Sequence, residues 1–289
     1  MGCSSSDGAS DPATESPAVG TVELFAEVPS TTEGIALAKD AQGRTALFAG
    51  GGNSIYRIGP DREVTTIASL PDPLGIAVHP DGYLVVCGSK TGDAGTGEFP
   101  GALWKVTMDG AASLLVGEQQ GSFVKPNFVV VDADRSLVFS DSSANQVYRV
   151  SADTTTVGPV TDAITFPNGM AYSPDGSVLY VASWDSKQVY KLEREGAGFG
   201  VPAPAFAVAT VDGIAAMESG SLAFVTSGEG IVVGHTDGTT VQIAAAKEFA
   251  LPANGVFGTG EFGEGWLYVT NLLSKRIDRV YVGERGAAR

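Results

Sequence analysis

Six segments of the chain share one pattern, an opening residue followed by a run of small apolar residues, with glycine second in all but one. They are EGIAL from Glu33, LGIAV from Leu74, NFVVV from Asn127, NGMAY from Asn168, DGIAA from Asp212 and NGVFG from Asn254, spaced 41 to 53 residues apart. Each is followed by a turn, a second apolar run and a third run such as SIYRI (Ser54–Ile58), QVYRV (Gln146–Val150) or QVYKL (188–192). Most repeats add a fourth run, as in EVTTIAS (63–69). A repeat of about 40–50 residues holding four strands is the signature of a β-propeller blade, because one blade cannot bury both of its faces alone. Six repeats predict six blades.

The runs themselves read as strands. YLVVCGS (Tyr83–Ser89), SLVFSDS (136–142), VLYVASW (178–184), SLAFVTS (221–227) and WLYVTN (Trp266–Asn271) are short, rich in Val, Ile, Tyr and Phe, and separated by Pro-Asp-Gly and Asp-Gly turns. No stretch of ten or more residues carries convincing amphipathic helix periodicity. The expected fold is therefore all-β, a six-bladed β-propeller. The last repeat supplies only three strands, and TVELFAEV (21–28) stands spare before the first. That strand is expected to join the last blade and close the ring, removing an exposed edge. The 38 glycines suit the many tight turns and crowded inner strands. Residues 1–20, rich in Ser, Gly, Asp and Pro, read as a flexible tether, and 21–289 as the propeller.

Charge and composition exclude several functions. With 33 acidic against 18 basic side chains the net charge is −15, and no Lys/Arg cluster offers phosphate a surface, so nucleic acid is not an expected partner. No apolar run approaches the ~18 residues of a transmembrane helix. Cys3 and Cys87 cannot build a disulfide framework, and a monomer is expected.

In a propeller the first strand of each blade lines the central channel, and its opening residue sits at one mouth. Here those positions hold Glu33, Leu74, Asn127, Asn168, Asp212 and Asn254. Five carry side-chain oxygens and two are carboxylates. Asn and Asp also form turns, which would account for any one of them alone. Five in one register point instead to a hard cation, Ca2+ first, with Mg2+, Mn2+ or Zn2+ open.

PNGMAYSPDGSVLYVAS (167–183) resembles the hallmark segment of the senescence marker protein (regucalcin)/gluconolactonase family of six-bladed propellers. TEGIAL (32–37), KPN (125–127) and VDGIA (211–215) are similar to that family's Glu-Gly, basic-x-Asn and Asp-Gly motifs, and the resemblance covers about residues 21–283. It implies divalent-metal binding by Glu33, Asn168 and Asp212, with Asn127 contacting metal, water or substrate. The related diisopropyl fluorophosphatase uses a similar Glu-Asn-Asn-Asp set around calcium. Members acting on sugar lactones usually carry Arg-x-Asn-Asp, where this chain has Lys125-Pro126-Asn127-Phe128. Strictosidine synthase-like relatives share the fold but lack the metal ligands that are retained here.

The expected activity is metal-assisted hydrolysis of a small-molecule lactone or ester, with organophosphate hydrolysis open and Asp212 or Glu33 as general base or nucleophile. A non-catalytic propeller that binds a ligand or partner around a structural metal is the alternative. His79 and His235 fall in turns at the wrong end of their strands and are expected to be solvated turn residues. Loops between second and third strands lie on the metal side. The longest, 89–101 in blade 2, is expected to form a glycine-rich lid with Glu98 and Phe99 as substrate contacts. Lys125, Asn127, Asn254, Trp184, Asp185 and the segment 271–273 are further candidates for contacting substrate. Leu74 places an apolar wall on the blade 2 side. Cys87 reads as a buried hydrophobe.

MGCSSS at the N-terminus supports two readings. It fits a myristoylation pattern, and it resembles a bacterial lipoprotein lipidated at Cys3, which requires a signal peptide before Met1. The second reading implies a cell-envelope location, periplasmic or surface. An unmodified tail implies a cytoplasmic protein.

Overall fold

The computed structural model describes residues 16–89, 100–117 and 119–287. They form a six-bladed β-propeller of four-stranded antiparallel sheets. The innermost strands are Ile35–Lys39, Ile76–His79, Pro126–Val131, Pro167–Tyr172, Val211–Ala216 and Pro252–Phe257, one each for blades 1 to 6. Blade 4 carries one extra two-residue strand, Gly198–Phe199, paired to its third strand. The spare N-terminal strand, Val22–Glu27, pairs antiparallel with Arg276–Tyr281 as the outer strand of blade 6, from Val22 opposite Val280 to Glu27 opposite Arg276. The ring is thus closed by strands from both ends of the chain, and blade 6 gains the fourth strand that the other blades have.

The core is divided into six clusters, one at each blade-to-blade contact. Along Tyr83–Ser89, Leu84 and Val86 pack toward blade 1 with Phe48 and Ile55, while Val85 and Cys87 pack toward blade 3 with Val129 and Phe139. Successive side chains on a strand point to opposite faces, and here both faces are covered. This is why the second strands read as unbroken apolar runs rather than alternating ones. Cys87 is fully buried, as expected of a small hydrophobe. Burying each such Val, Leu or Phe contributes about 1.5–3 kcal/mol.

The turns at the far end of the ring account for part of the acidic surplus. Asp61, Asp134, Asp153, Asp175 and Asp237 each accept a backbone N–H two residues on, the geometry that closes an Asx-turn. The arginines of SIYRI and QVYRV have a partner there too. Arg57 donates from Nε (2.9 Å) and Nη2 (2.6 Å) to Asp40 at the end of the blade 1 inner strand, and Arg149 pairs with Asp132 and Asp134 in blade 3. A hollow of about 870 Å³ on this far face is lined by these blade 3 pairs and Arg194. Arg194 itself pairs with Asp132 at 2.8 Å.

Burial by itself would raise the Asp40 carboxyl. The N–H groups of Arg44 and Gln42 and the Arg57 guanidinium outweigh it and hold the group at about 2, against an ordinary 3.8. A depressed folded-state value means the stabilisation is complete above about pH 4 and is lost as pH falls toward 2. Subtracting the stability of Asp40→Ala from that of the wild type across pH 2–7, by urea titration, is therefore expected to give a plateau of about 3 kcal/mol that collapses in that window.

One expectation about this face is corrected. His79 does sit at the end of its strand away from the mouth, but it is buried, not solvated. Its ring stacks on Tyr83 (4.3 Å between centroids), and its Nδ1 accepts the Asp81 N–H at 3.2 Å. The last residue of the inner strand still lies within the pleat, where a neighbouring ring covers it. His235 is half-buried in its turn. Residues 1–15, including Cys3, and 90–99, which hold Glu98, Phe99 and most of the expected lid, lie outside the described residues.

Candidate functional site

The opening residues of the six inner strands gather at one mouth of the channel because the backbones of adjacent blades touch there. A Cβ on Gly169 would lie 2.2 Å from the Asp212 carbonyl oxygen, and one on Gly34 would lie 1.9 Å from that of Leu74. The recurring glycine is thus what allows one blade's axis residue to sit against the next. The Gly75 N–H donates to the Asn127 carbonyl at 2.8 Å.

Four of the axis positions fall in β-bulges. Register shifts between Pro126 and Phe128, Pro167 and Met170, Val211 and Gly213, and Pro252 and Gly255 leave Asn127, Asn168, Asp212 and Asn254 out of the regular pairing with the second strand. A bulge re-aims its side chain. All four are nearly enclosed, between 3% and 4% exposed. Glu33 is half-buried at the start of blade 1, and its carbonyl accepts the Thr270 hydroxyl at 2.5 Å. The same Thr270 oxygen accepts the Asn254 N–H at 3.0 Å, joining the two ends of the ring.

Asn127 Oδ1, Asn168 Oδ1 and Asp212 Oδ1 are buried without a hydrogen-bond partner. A buried polar atom without a partner costs about 1–3 kcal/mol, so three acceptors in one ring form a costly arrangement for the protein alone. The carboxylates show the same tension. Burial, with the Asp212 charge and more weakly Asp72 adding to it, pushes Glu33 above the usual carboxylate range against the pull of Lys125. Burial also pushes Asp212 up, against a hydrogen bond from Asn168 and the Lys125 charge. The donor set is oxygen-only and two of its members are anionic, so it fits a hard cation of the calcium type. Among the described residues no three His, Cys, Asp or Glu side chains gather to hold a metal. Any cation here would rest partly on amide oxygens. Asn254 differs from its neighbours in that its orphaned atom is Nδ2, a donor suited to an oxygen of a ligand.

The remaining candidates separate. Lys125 is exposed at the rim, close enough to act on both carboxylates. Trp184 is half-buried and Asp185 exposed in the blade 4 hairpin on the mouth side. Asn271 does not face the mouth. It is fully buried, donating to the Arg276 carbonyl (3.1 Å) and Asp278 Oδ2 (3.0 Å) and accepting the Ala250 N–H (2.9 Å), so it ties the blade together. Leu74 is 6% exposed and packs into the core between blades 2 and 3.

Sequence reasoning missed Asp72, Thr270 and Asp141. Asp141, fully buried at the end of its strand, accepts the N–H groups of Val124 and Lys125, both at 2.7 Å, and of Ala144 at 3.3 Å. It thereby fixes the segment that carries Lys125 and Asn127. Asp141→Ala leaves those donors without an acceptor and is expected to cost at least about 3 kcal/mol in a urea titration, while Asp141→Asn, which keeps one acceptor oxygen, costs less.

The model of the SMP-30/Gluconolactonase/LRE-like region matches residues 38–272. Curated relatives include lactonase drp35 of Staphylococcus saprophyticus, 26% identical over 163 residues (53% of this chain and 49% of that one). Lactonase drp35 of Staphylococcus aureus is 27% identical over 168 residues, covering 55% and 50%. The chain thus spans about half the length of the curated relatives it matches. Among solved structures, a gluconolactonase from Xanthomonas campestris is similar with a TM-score of 0.75 at 20% identity, covering 90% of this chain and 89% of that one. A calcium-binding regucalcin from Agrobacterium tumefaciens is similar with a TM-score of 0.69 at 16% identity, covering 92% and 96%. At such identities the structures speak for the fold, and the matched region speaks for descent: the chain belongs to the SMP-30/gluconolactonase/LRE-like family.

Proposed function

We propose that this protein is a calcium-dependent hydrolase of lactones or closely related esters, acting at the mouth lined by Glu33, Asn127, Asn168 and Asp212. One observation carries the reading: three buried acceptor oxygens without partners share a ring with two desolvated carboxylates. The lactonase relatives support the substrate class.

Asn127, Asn168, Asp212 and Glu33 would hold the cation. Bound there, calcium supplies positive charge that polarises a carbonyl and acidifies water. Asp212, whose basicity is raised by burial, takes the proton of the attacking water as its oxygen bonds to the acyl carbon. When the ring C–O bond breaks, the same carboxyl returns the proton to the departing alkoxide. The Lys125 ammonium and the Asn254 amide stabilise negative charge growing on the substrate oxygens.

Dialysis against a chelator followed by a panel of lactones and aryl esters tests the reading. Hydrolysis is expected to fall to background and to return with added Ca2+. Hydrolysis that survives chelation, or calcium binding with no turnover of any lactone or ester, would contradict it.

A further inference from the structure

The six cores absorb most of the large apolar side chains, and five of those left out share one end of the ring. Val124, Phe166, Trp184, Leu251 and Leu273 belong to none of the six clusters. All five lie at the mouth end of the ring. Val124, Phe166 and Leu251 stand just before the inner strands of blades 3, 4 and 6, and Trp184 and Leu273 in the loops after the second strands of blades 4 and 6. Val124 is 43% exposed and Leu273 74%. The other exposed ones are dispersed: Leu24, Leu114 and Val241 sit singly on the outermost strands of three different blades, and Val19 and Val201 lie in separate loops.

Two of the five are held in conformations their side chains disfavour. Phe166 has φ of 43° and Leu251 of 61°, the left-handed region that bulky residues rarely occupy. Phe166 is pinned there from both sides: its N–H donates to Asn145 Oδ1 at 2.8 Å, and its carbonyl accepts the Trp184 N–H at 3.1 Å. The Leu251 carbonyl accepts the Leu272 N–H at 2.9 Å. Thr210, in the equivalent place before the inner strand of blade 5, has φ of 49°, so the connection between blades demands this conformation and blades 4 and 6 fill it with a large apolar side chain at the mouth.

Phe166 is two residues from Asn168, Val124 three from Asn127 and Leu251 three from Asn254, so the chain sets an apolar residue close in sequence to each of three axis residues. Phe128, beside Asn127, packs into the core between blades 3 and 4 and offers no polar group for sugar hydroxyls. We infer that the rim formed by Val124, Phe166, Trp184, Leu251 and Leu273 is an apolar substrate subsite, and that the mouth takes lactones bearing an aryl or alkyl arm in preference to polyhydroxylated ones. The inference rests on the hydrolase reading above and names the substrate class of that site.

The test compares phenyl-substituted δ-valerolactone, unsubstituted δ-valerolactone and glucono-δ-lactone, and measures by calorimetry the binding of phenyl-substituted δ-valerolactam, which resists hydrolysis. The phenyl lactone is expected to lead both others in kcat/KM by about tenfold or more, and the lactam to bind. Phe166→Asn, a residue that tolerates the left-handed backbone, and Leu273→Ser are each expected to reduce the phenyl-to-unsubstituted selectivity and to weaken lactam binding by about tenfold. Preference for glucono-δ-lactone, or lactam binding indifferent to both variants, overturns the subsite even if lactones are hydrolysed. Lactam binding that is lost in both variants upholds the subsite even if no lactone is turned over, and that result counts against the hydrolase reading alone.

Discussion

Asp212→Asn is expected to lower lactone hydrolysis by about a thousandfold while leaving the calcium-free protein as stable as the wild type, or more so. The two effects have one cause. Asp212 is 4% exposed, burial raises its carboxyl above the ordinary range, and its charge pushes Glu33 up in turn. An amide of the same shape removes that buried like-charge contact but can neither take a proton nor supply anionic charge to a cation. A residue that only supported the fold would show the reverse pattern, with stability falling and activity following it. Steady-state kinetics and calorimetric Tm on the same preparation separate the cases. A Tm that drops by several degrees together with the rate would sink the catalytic assignment.

Gly169→Ala is expected to produce a large loss of stability from a single methyl group at the axis. The added Cβ would lie 2.2 Å from the Asp212 carbonyl oxygen and 2.9 Å from the Gly213 Cα, both backbone atoms that cannot rotate away. Relief requires the inner strands of blades 4 and 5 to separate, at an expected cost of about 3 kcal/mol or more, and Asn168 and Asp212 move apart with them. Gly158→Ala, on the outer strand of blade 3 with nothing within 4 Å of the added atom, is the control and changes stability by less than about 1 kcal/mol. Urea titration of the pair reads the difference. Equal effects at the two sites would mean that the axis is not closely packed at Gly169.

The architecture was readable in the sequence because each blade must solve the same problem, and the chain repeats its solution. EGIAL, NGMAY and DGIAA announce inner strands, and the missing fourth strand of blade 6 is visible as the surplus TVELFAEV. The axis set was readable for the same reason, since residues in one register of a repeat must meet. What was not readable depends on contacts between repeats. Asp141 looks like any acidic residue at a strand end until the Val124 and Lys125 N–H groups are seen against it, and Thr270 looks like any β-branched strand residue until its hydroxyl reaches Glu33. The bulges at Asn127, Asn168, Asp212 and Asn254 leave no mark in composition, because a bulge is a property of pairing. His79 was misread because the HPDG turn suggests solvent, whereas the Tyr83 ring covers it. Part of the acidic surplus, unexplained by sequence, lies in the far-face turns, where five aspartates accept backbone N–H groups.

The most direct test of the central claim is titration calorimetry of Ca2+ into chelator-treated protein, run in parallel on the wild type, Asn168→Ala and Asp212→Asn. One site per chain is expected in the wild type, with affinity reduced at least about tenfold in Asn168→Ala and binding abolished in Asp212→Asn. Absence of calcium binding in the wild type, or binding of equal strength in all three proteins, would contradict the assignment of this mouth as the metal centre.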